Sequence, residues 1–428
     1  MSIHNYFNNN LFKKELIFFT ALYFSLIIGF LLGENSSGGA FLDYLNQKKI
    51  SQNFSNDFFE TLLNYEKFPT RHSPILIIFL SVFEKLNLND YFIRIIHLHL
   101  CLLLPLFFYL SLKLKFIDID KRVLILITGI IFLSPTFRSL AIWPDSRVLG
   151  LSFFCISVYY YLNFINEKKF THCLFNVFFY AFASYLSPNF SVFSLFFLYK
   201  YLSYFNFSSY KFVILTLLNF LLALPAFYYV FILDINFILK PAAVGVDIDI
   251  IGKDEKKNIF FSNLANHLLI IPSIVFFYIF PLILLKIISL KNILDIKKII
   301  ITSLILFISI IYFNYEFSFT GGGIFFKLSN YLFENNILFY IFSFIGILVL
   351  INVINLNFEN FLLILILFLS NPQITIYHKY YDPLILLMFL LLFKIEIKLK
   401  NIKNLKQISF IYMYFAFFLL LNFLKSNV

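Results

Sequence analysis

A chain of 428 residues that is 61% apolar and only 13% charged, with a mean hydropathy of +0.85, lies outside the soluble globular range, where charged residues make up about a quarter. That composition excludes a water-soluble fold and calls for lipid as solvent. The net charge of +11 does not mark a nucleic-acid binder, because Lys and Arg stand in short clusters between apolar runs rather than on a basic domain.

Lys13 and Lys14 precede an apolar run to Leu32, and small residues follow from Ser37 to Ala40. The run exceeds a signal-peptide core of about 7–15 residues, so it reads as an uncleaved first span with a cytoplasmic N-terminus. Counting runs long enough to cross the hydrocarbon core gives about thirteen spans. They lie near 14–33, 92–113, 123–142, 148–166, 170–187, 190–206, 212–234, 266–286, 299–313, 337–354, 361–373, 376–394 and 408–424. The fold class is therefore an all-α polytopic membrane protein, a single transmembrane domain over 1–428 with juxtamembrane amphipathic helices. Cys101, Cys155 and Cys173 fall in apolar runs without metal-ligand spacing and indicate neither a disulfide framework nor a zinc site.

A further apolar stretch, Ile75 to Leu86, is short and ends in Glu84 and Lys85. Charge parity decides its reading. If it is re-entrant or interfacial, the basic clusters near Lys113, Lys168, Lys200, Lys286 and Lys394 all share the N-terminal side, as the positive-inside rule requires. The same parity places 34–74, 235–265 and 314–336 outside as extracytoplasmic loops, along with shorter connections at 138–147 and 371–382.

The first of these loops carries two amphipathic stretches. Phe54, Phe58, Leu62 and Tyr65 fall on one face at helical spacing, helped by Phe59 and Leu63, which predicts a helix lying flat on the bilayer. Asp43 follows a Gly-Gly turn just after the first span and is either a general base at the interface or a helix-capping acid. Glu66 and His72 flank Pro69 and would face Asp43 if the loop folds back, binding acceptor or metal; alternatively they are solvated loop residues. Arg71, and in the 235–265 loop Asp247, Asp249, Asp254 and Glu255, add further charge on that side.

Trp143-Pro144-Asp145-Ser146-Arg147 stands at the mouth of two spans with Arg138 before it. Ionisable groups there are costly unless paired, so they are functional or form an Arg138–Asp145 or Asp145–Arg147 pair that fixes the hairpin. Gly321-Gly322-Gly323 ahead of Lys327 is an anion-binding concavity or an ordinary turn, and lacks a P-loop ending. His378 and Lys379, in Tyr377-His378-Lys379-Tyr380-Tyr381-Asp382-Pro383, suit a lipid phosphate or form part of an interfacial tyrosine belt. His97 and His99 point to different helix faces and do not make a metal pair.

The order Asp43, Ser73-Pro74-Ile75, Arg94, Ser134-Pro135 and Asp145, over about residues 10 to 190, resembles the GT-C membrane glycosyltransferases, within them the protein O-mannosyltransferase and lipid A aminoarabinose transferase branch. Tyr380 and Pro383 echo a late aromatic-proline element of that family. The resemblance implies a polyprenyl-phosphate-linked sugar donor, inverting transfer to an envelope glycan, lipid or protein acceptor, and residence in a bacterial cytoplasmic membrane. It makes Asp43 the base and assigns the lipid phosphate to Arg147, Lys327 or Lys379. Asp145 takes the second acidic position, which helps hold a divalent metal, Mg or Mn, in some members. Two rival classes are a flippase for a lipid-linked glycan, which would show internal repeats, and an oligosaccharide polymerase with Arg-rich outer loops.

Overall fold

Two Ser-Pro pairs and a Gly-Gly pair set the helix starts that matter most in this chain. The computed structural model describes residues 9–70, 72–207, 209–235, 256–290, 292–317, 321–371, 375–402 and 405–426. In each Ser-Pro pair the serine hydroxyl accepts a backbone N–H of the first turn while proline sits at the first helical position, where its missing N–H costs nothing.

The chain divides into two compact units. The first comprises Met1–Ser191, Tyr201–Ile238 and Ile402–Val428. It opens with α1 (Asn9–Leu31), α2 (Ala40–Asn56), the short α3 (Phe58–Leu63) and α4 (Pro74–Lys85). α5 (Asp90–Cys101) and α6 (Leu103–Lys115) run on as one long apolar segment, followed by α7 (Lys121–Gly129), α8 (Pro135–Ile142), α9 (Ser146–Glu167) and α10 (Phe170–Leu186). After α11 (Ser194–Phe205) come α12 (Tyr210–Phe227) and, beyond the second unit's helices, a terminal helix at Leu405–Ser426.

The protein is an all-α membrane protein. Among the described residues six helices are long and apolar enough to cross a bilayer, and a seventh if Lys121–Leu133 and Pro135–Ile142 count as one bent span. Three shorter apolar helices, Leu16–Leu31, Phe170–Leu186 and Phe358–Leu369, correspond to further apolar runs of the sequence. The run at 376–394 is broken into a 3-10 turn, a four-residue α-helix and a π turn, so apolar length there does not become helix length.

Burial separates the spans by role. Ser146–Glu167 is mostly buried and central to its unit, whereas Tyr210–Ile232 is almost wholly unburied and turns its apolar surface outward, as a lipid-facing helix must. α9 packs along α6 and α10, and Asn176 of α10 donates to the Ser157 carbonyl at 2.9 Å while accepting from Tyr201 at 2.8 Å. The pair α7 and α8 bends by 65° at Ser134, and every residue from Leu126 to Asp145 is buried. Enclosure by protein is the condition under which a broken helix is tolerated at membrane depth.

α4 has 12 residues, about 18 Å of helix, short of the roughly 30 Å a crossing needs. It packs beside α2. The apolar face read as lipid-bound is instead a core: Phe54 and Tyr65 are fully buried with Ile50, Ile77 and Ile235, and Phe58, Leu62 and Phe68 pack against them. The helpers of that face are the exposed residues, Phe59 at 74% and Leu63 at 56%. A helix break at the extended Asp57, which ends α2 and caps α3, rotates the pattern away from one continuous helix.

The second unit comprises Val192–Lys200 and Leu239–Asn401. It holds α13 (Lys256–Leu284), α14 (Ile296–Ile311), α15 (Gly323–Phe333), α16 (Ile337–Ile354) and α17 (Phe358–Leu369). α13 and α16 cross closely at Gly346, where an added Cβ would stand 2.2 Å from the Pro272 carbonyl oxygen. Small residues allow such backbone approach between membrane helices.

Candidate functional site

Asp43, His72 and Asp145, read from three separate stretches of sequence, converge in the first unit. One ligand atom from each lies within 4.8 Å of those from the other two. Asp43 sits in the first turn of α2, which starts from Gly38 and Gly39, both at positive φ (72° and 75°), so the chain reverses there at little steric cost. His72 immediately precedes the Ser73 cap of α4; its carbonyl accepts the Tyr65 hydroxyl at 2.8 Å, and its Nδ1 lies 3.4 Å from Ser146 Oγ. Asp145 is 1% exposed and caps α9, Oδ1 accepting the Arg147 backbone N–H at 2.7 Å. Asp43 and His72 are half-buried.

Capping explains why Asp145 stands where it does, since an N-cap acid lies at the positive end of the helix. The cap bond uses Oδ1. Two carboxylates and one imidazole form a mixed O, N, O donor set of the kind that binds a first-row divalent cation. Ligands of one such ion, each about 2.0–2.2 Å from it, stand at most about 4.4 Å apart, so small side-chain rotations suffice to close the set. The residues therefore fit a divalent metal, and the imidazole favours Mn²⁺ over Mg²⁺.

Around the three, the walls are tied to one another. Tyr44, next to Asp43, is buried and donates its hydroxyl to Asp90 Oδ1 at 2.5 Å, and Lys48 meets the same oxygen at 2.8 Å. Burial pushes the Tyr44 phenol well above its ordinary pKa, so it stays a donor at neutral pH. Arg94 lays its guanidinium 3.5 Å from the Trp143 ring centre and donates Nε–H to the Ile142 carbonyl at 3.1 Å. His97 is buried, with Nδ1 3.1 Å from the Ala141 carbonyl, a fastening of α5 to α8 and not a metal ligand pair with His99.

Arg138 does not pair with Asp145. Its Nε lies 2.8 and 2.9 Å from the two oxygens of Glu34 and its Nη2 2.6 Å from Oε2, in a pair whose side chains are 7% and 5% exposed. Ser36 adds a donor to Glu34 at 2.7 Å, and the Trp143 indole N–H donates to the Glu34 carbonyl at 3.0 Å. This network staples the end of the first helix to the turn that presents Asp145. Glu34 opens the first loop in the sequence, yet nothing local marks its partner.

The remaining candidates lie elsewhere. Glu66 is exposed on the 3-10 turn Tyr65–Lys67, near Tyr229, and is not among the three converging groups. Arg147 is half-buried in the first turn of α9, directly after the Ser146 that meets His72. In the second unit, Lys327 donates to the Phe317 carbonyl and lies 4.4 Å from that ring's centre. His378 Nε2 is 2.8 Å from the Tyr278 hydroxyl, and Lys379 stands 5.4 Å from the Tyr377 ring centre. Arg71, Asp247, Asp249, Asp254 and Glu255 lie outside the described residues.

The glycine run has a packing reason. The Gly322 N–H donates to the Ile376 carbonyl at 2.9 Å, and a Cβ on Gly321, whose φ is +97°, would stand 2.5 Å from that same oxygen. Gly321→Ala is accordingly expected to cost about 1–3 kcal/mol through strain and lost contact, read as a lowered melting temperature of the detergent-solubilised chain. An unchanged melting temperature would mean that the close approach does not constrain this turn.

Comparison with protein-family models, curated proteins and solved structures returns no match to this chain. The chemistry of the site follows from its own geometry.

Proposed function

We propose that this protein is a membrane glycosyltransferase that moves a sugar from a polyprenyl-phosphate carrier to a cell-envelope glycan, lipid or protein. The observation that carries the reading is the convergence of Asp43, His72 and Asp145 at the mouth of the central spanning helix α9. A carboxylate at that depth has access both to a lipid-held donor and to an acceptor arriving from water. In this reading the chain has a GT-C arrangement of about thirteen spans, its N-terminus is cytoplasmic, and the site faces the other side.

Asp43 accepts the proton of an acceptor hydroxyl or amine as the acceptor attacks the anomeric carbon and the lipid phosphate leaves from the opposite face, inverting the centre. Asp145 fixes the first turn of α9 and with it Arg147, whose positive charge stabilises the departing phosphate. His72, held through its carbonyl by Tyr65, orients the third corner. A divalent ion bound by Asp43, His72 and Asp145 would supply positive charge toward the phosphate.

The test is transfer from a synthetic polyprenyl-phosphate sugar by the purified full chain in detergent. Transfer is expected, lost on chelation and restored by Mn²⁺ ahead of Mg²⁺. Absence of transfer with every such donor, together with movement of a lipid-linked glycan across proteoliposomes, would replace the enzyme reading by the flippase.

A further inference from the structure

Asp43 and Asp145 come to the same point from α2 and from the turn before α9, and α5 is tied to both stretches. Asp90 is the first residue of α5, behind the Asn89 cap. Its Oδ1 takes the Tyr44 hydroxyl at 2.5 Å and the Lys48 ammonium at 2.8 Å, two groups one turn apart on α2. Arg94, one turn along α5, takes the Ile142 carbonyl and the Trp143 ring, just ahead of Asp145. α2 begins at a left-handed glycine with no side chain to cap it, and Asn35 Oδ1 accepts the Ala40 backbone N–H at 3.0 Å; the side-chain bonds from Tyr44 and Lys48 to Asp90 add a second anchor one and two turns further along. Hydrogen bonds to a carboxylate are among the stronger ones, and here they fix how α2 is rotated about its axis.

We propose that Asp90 is the positioning residue of the site: through Tyr44 and Lys48 it holds α2 in the rotation that turns Asp43 toward His72 and Asp145, while Arg94 holds the Asp145 side. This inference rests on the reading of the three groups as one site. Asp90 acts through Tyr44 and has no part in the chemistry.

Two measurements on the full chain in nanodiscs test it. In the first, Mn²⁺ is titrated and followed by electron paramagnetic resonance. Asp90→Ala is expected to weaken Mn²⁺ binding about 10- to 100-fold, the usual effect of losing an outer support of a metal site. Asp90→Asn, which keeps an acceptor for Tyr44, recovers much of the loss, and Tyr44→Phe reproduces part of it. The second needs no metal: cysteines replace Asp43 and His72, and oxidant-driven disulfide formation is timed. The native cysteines are buried and do not compete. Adding Asp90→Ala is expected to slow cross-linking by up to about 100-fold, the sensitivity of reacting groups to displacement of about 1 Å.

If the unaltered chain binds no Mn²⁺ that Asp145→Ala removes, the metal reading fails while the cross-linking rate still decides the role of Asp90. A cross-linking rate unchanged by Asp90→Ala overturns the proposal. If that variant does not fold, Asp90→Asn and Tyr44→Phe stand in for it, and unchanged rates in both overturn it equally.

Discussion

In the glycosyltransferase reading, Asp43→Asn is expected to lower transfer by about two to four powers of ten, the span a positioned general base contributes, while the chain still inserts and melts at an unchanged temperature. The substitution keeps the size of the side chain and an oxygen able to meet a cation, but removes the ability to take a proton. Asp43 is half-buried in the first turn of α2, and its neighbour Tyr44 makes the contact with Asp90 that ties α2 to α5, a contact that asparagine at position 43 leaves in place. Asp145→Asn provides the contrast. Asparagine caps a helix about as well as aspartate, so α9 should start normally and the loss should appear in metal dependence. Transfer rates measured over a range of Mn²⁺ concentrations separate the two: added Mn²⁺ restores part of the Asp145→Asn activity and none of the Asp43→Asn activity. Asp43→Asn activity near that of the unaltered chain would remove Asp43 from the role of base.

The sequence makes parts of this arrangement legible and hides others for physical reasons. Apolar runs report that a segment prefers lipid or core, but not whether it stays helical. The run at 376–394 is continuously apolar only from Leu384 to Phe393, after the polar His378, Lys379 and Asp382, and it breaks at His378–Tyr380 and again from Met388; its backbone is enclosed by protein, where a regular helix is not the only way to satisfy it. Ser73-Pro74 and Ser134-Pro135 contribute to the family resemblance, yet both have a sufficient local cause as helix starts. They say less about function than their order suggests. Asp43, His72 and Asp145 are each visible as candidates, but their convergence depends on α2 and α4 lying side by side, which no local signal specifies. Helical periodicity gathers Phe54, Phe58, Leu62 and Tyr65 correctly onto one buried surface and assigns it the wrong neighbour, since lipid and protein core are equally apolar. Asp90 gives no signal, because an acid at the start of an apolar run reads as a simple helix terminus.

Glu34→Ala is expected to destabilise the first unit by about 3–5 kcal/mol, the cost of leaving a buried charge uncompensated. The guanidinium of Arg138 is enclosed at 7% exposure, and besides Glu34 it reaches the Ser25 carbonyl at 2.9 Å and the Ser25 hydroxyl at 3.0 Å, neither of which carries charge. Gly29 shows how closely the pair is seated: a Cβ there would stand 2.2 Å from Glu34 Oε2 and 2.9 Å from Arg138 Nη2. Arg138→Met should cost a similar amount, since the carboxylate is then the orphan. The double variant Glu34→Leu/Arg138→Met should recover most of either loss, because apolar side chains of similar size in the same place avoid desolvating two ions. Denaturant titration of the unaltered chain, Glu34→Leu, Arg138→Met and the double variant in one detergent gives the coupling directly. Single-variant losses that add in the double variant would show that the pair does not act as a unit. Recovery of stability without recovery of transfer would give the pair a second role in placing Asp145. By joining the end of α1 to the Trp143–Asp145 turn it sets where that carboxylate stands, and an apolar replacement restores packing without that register.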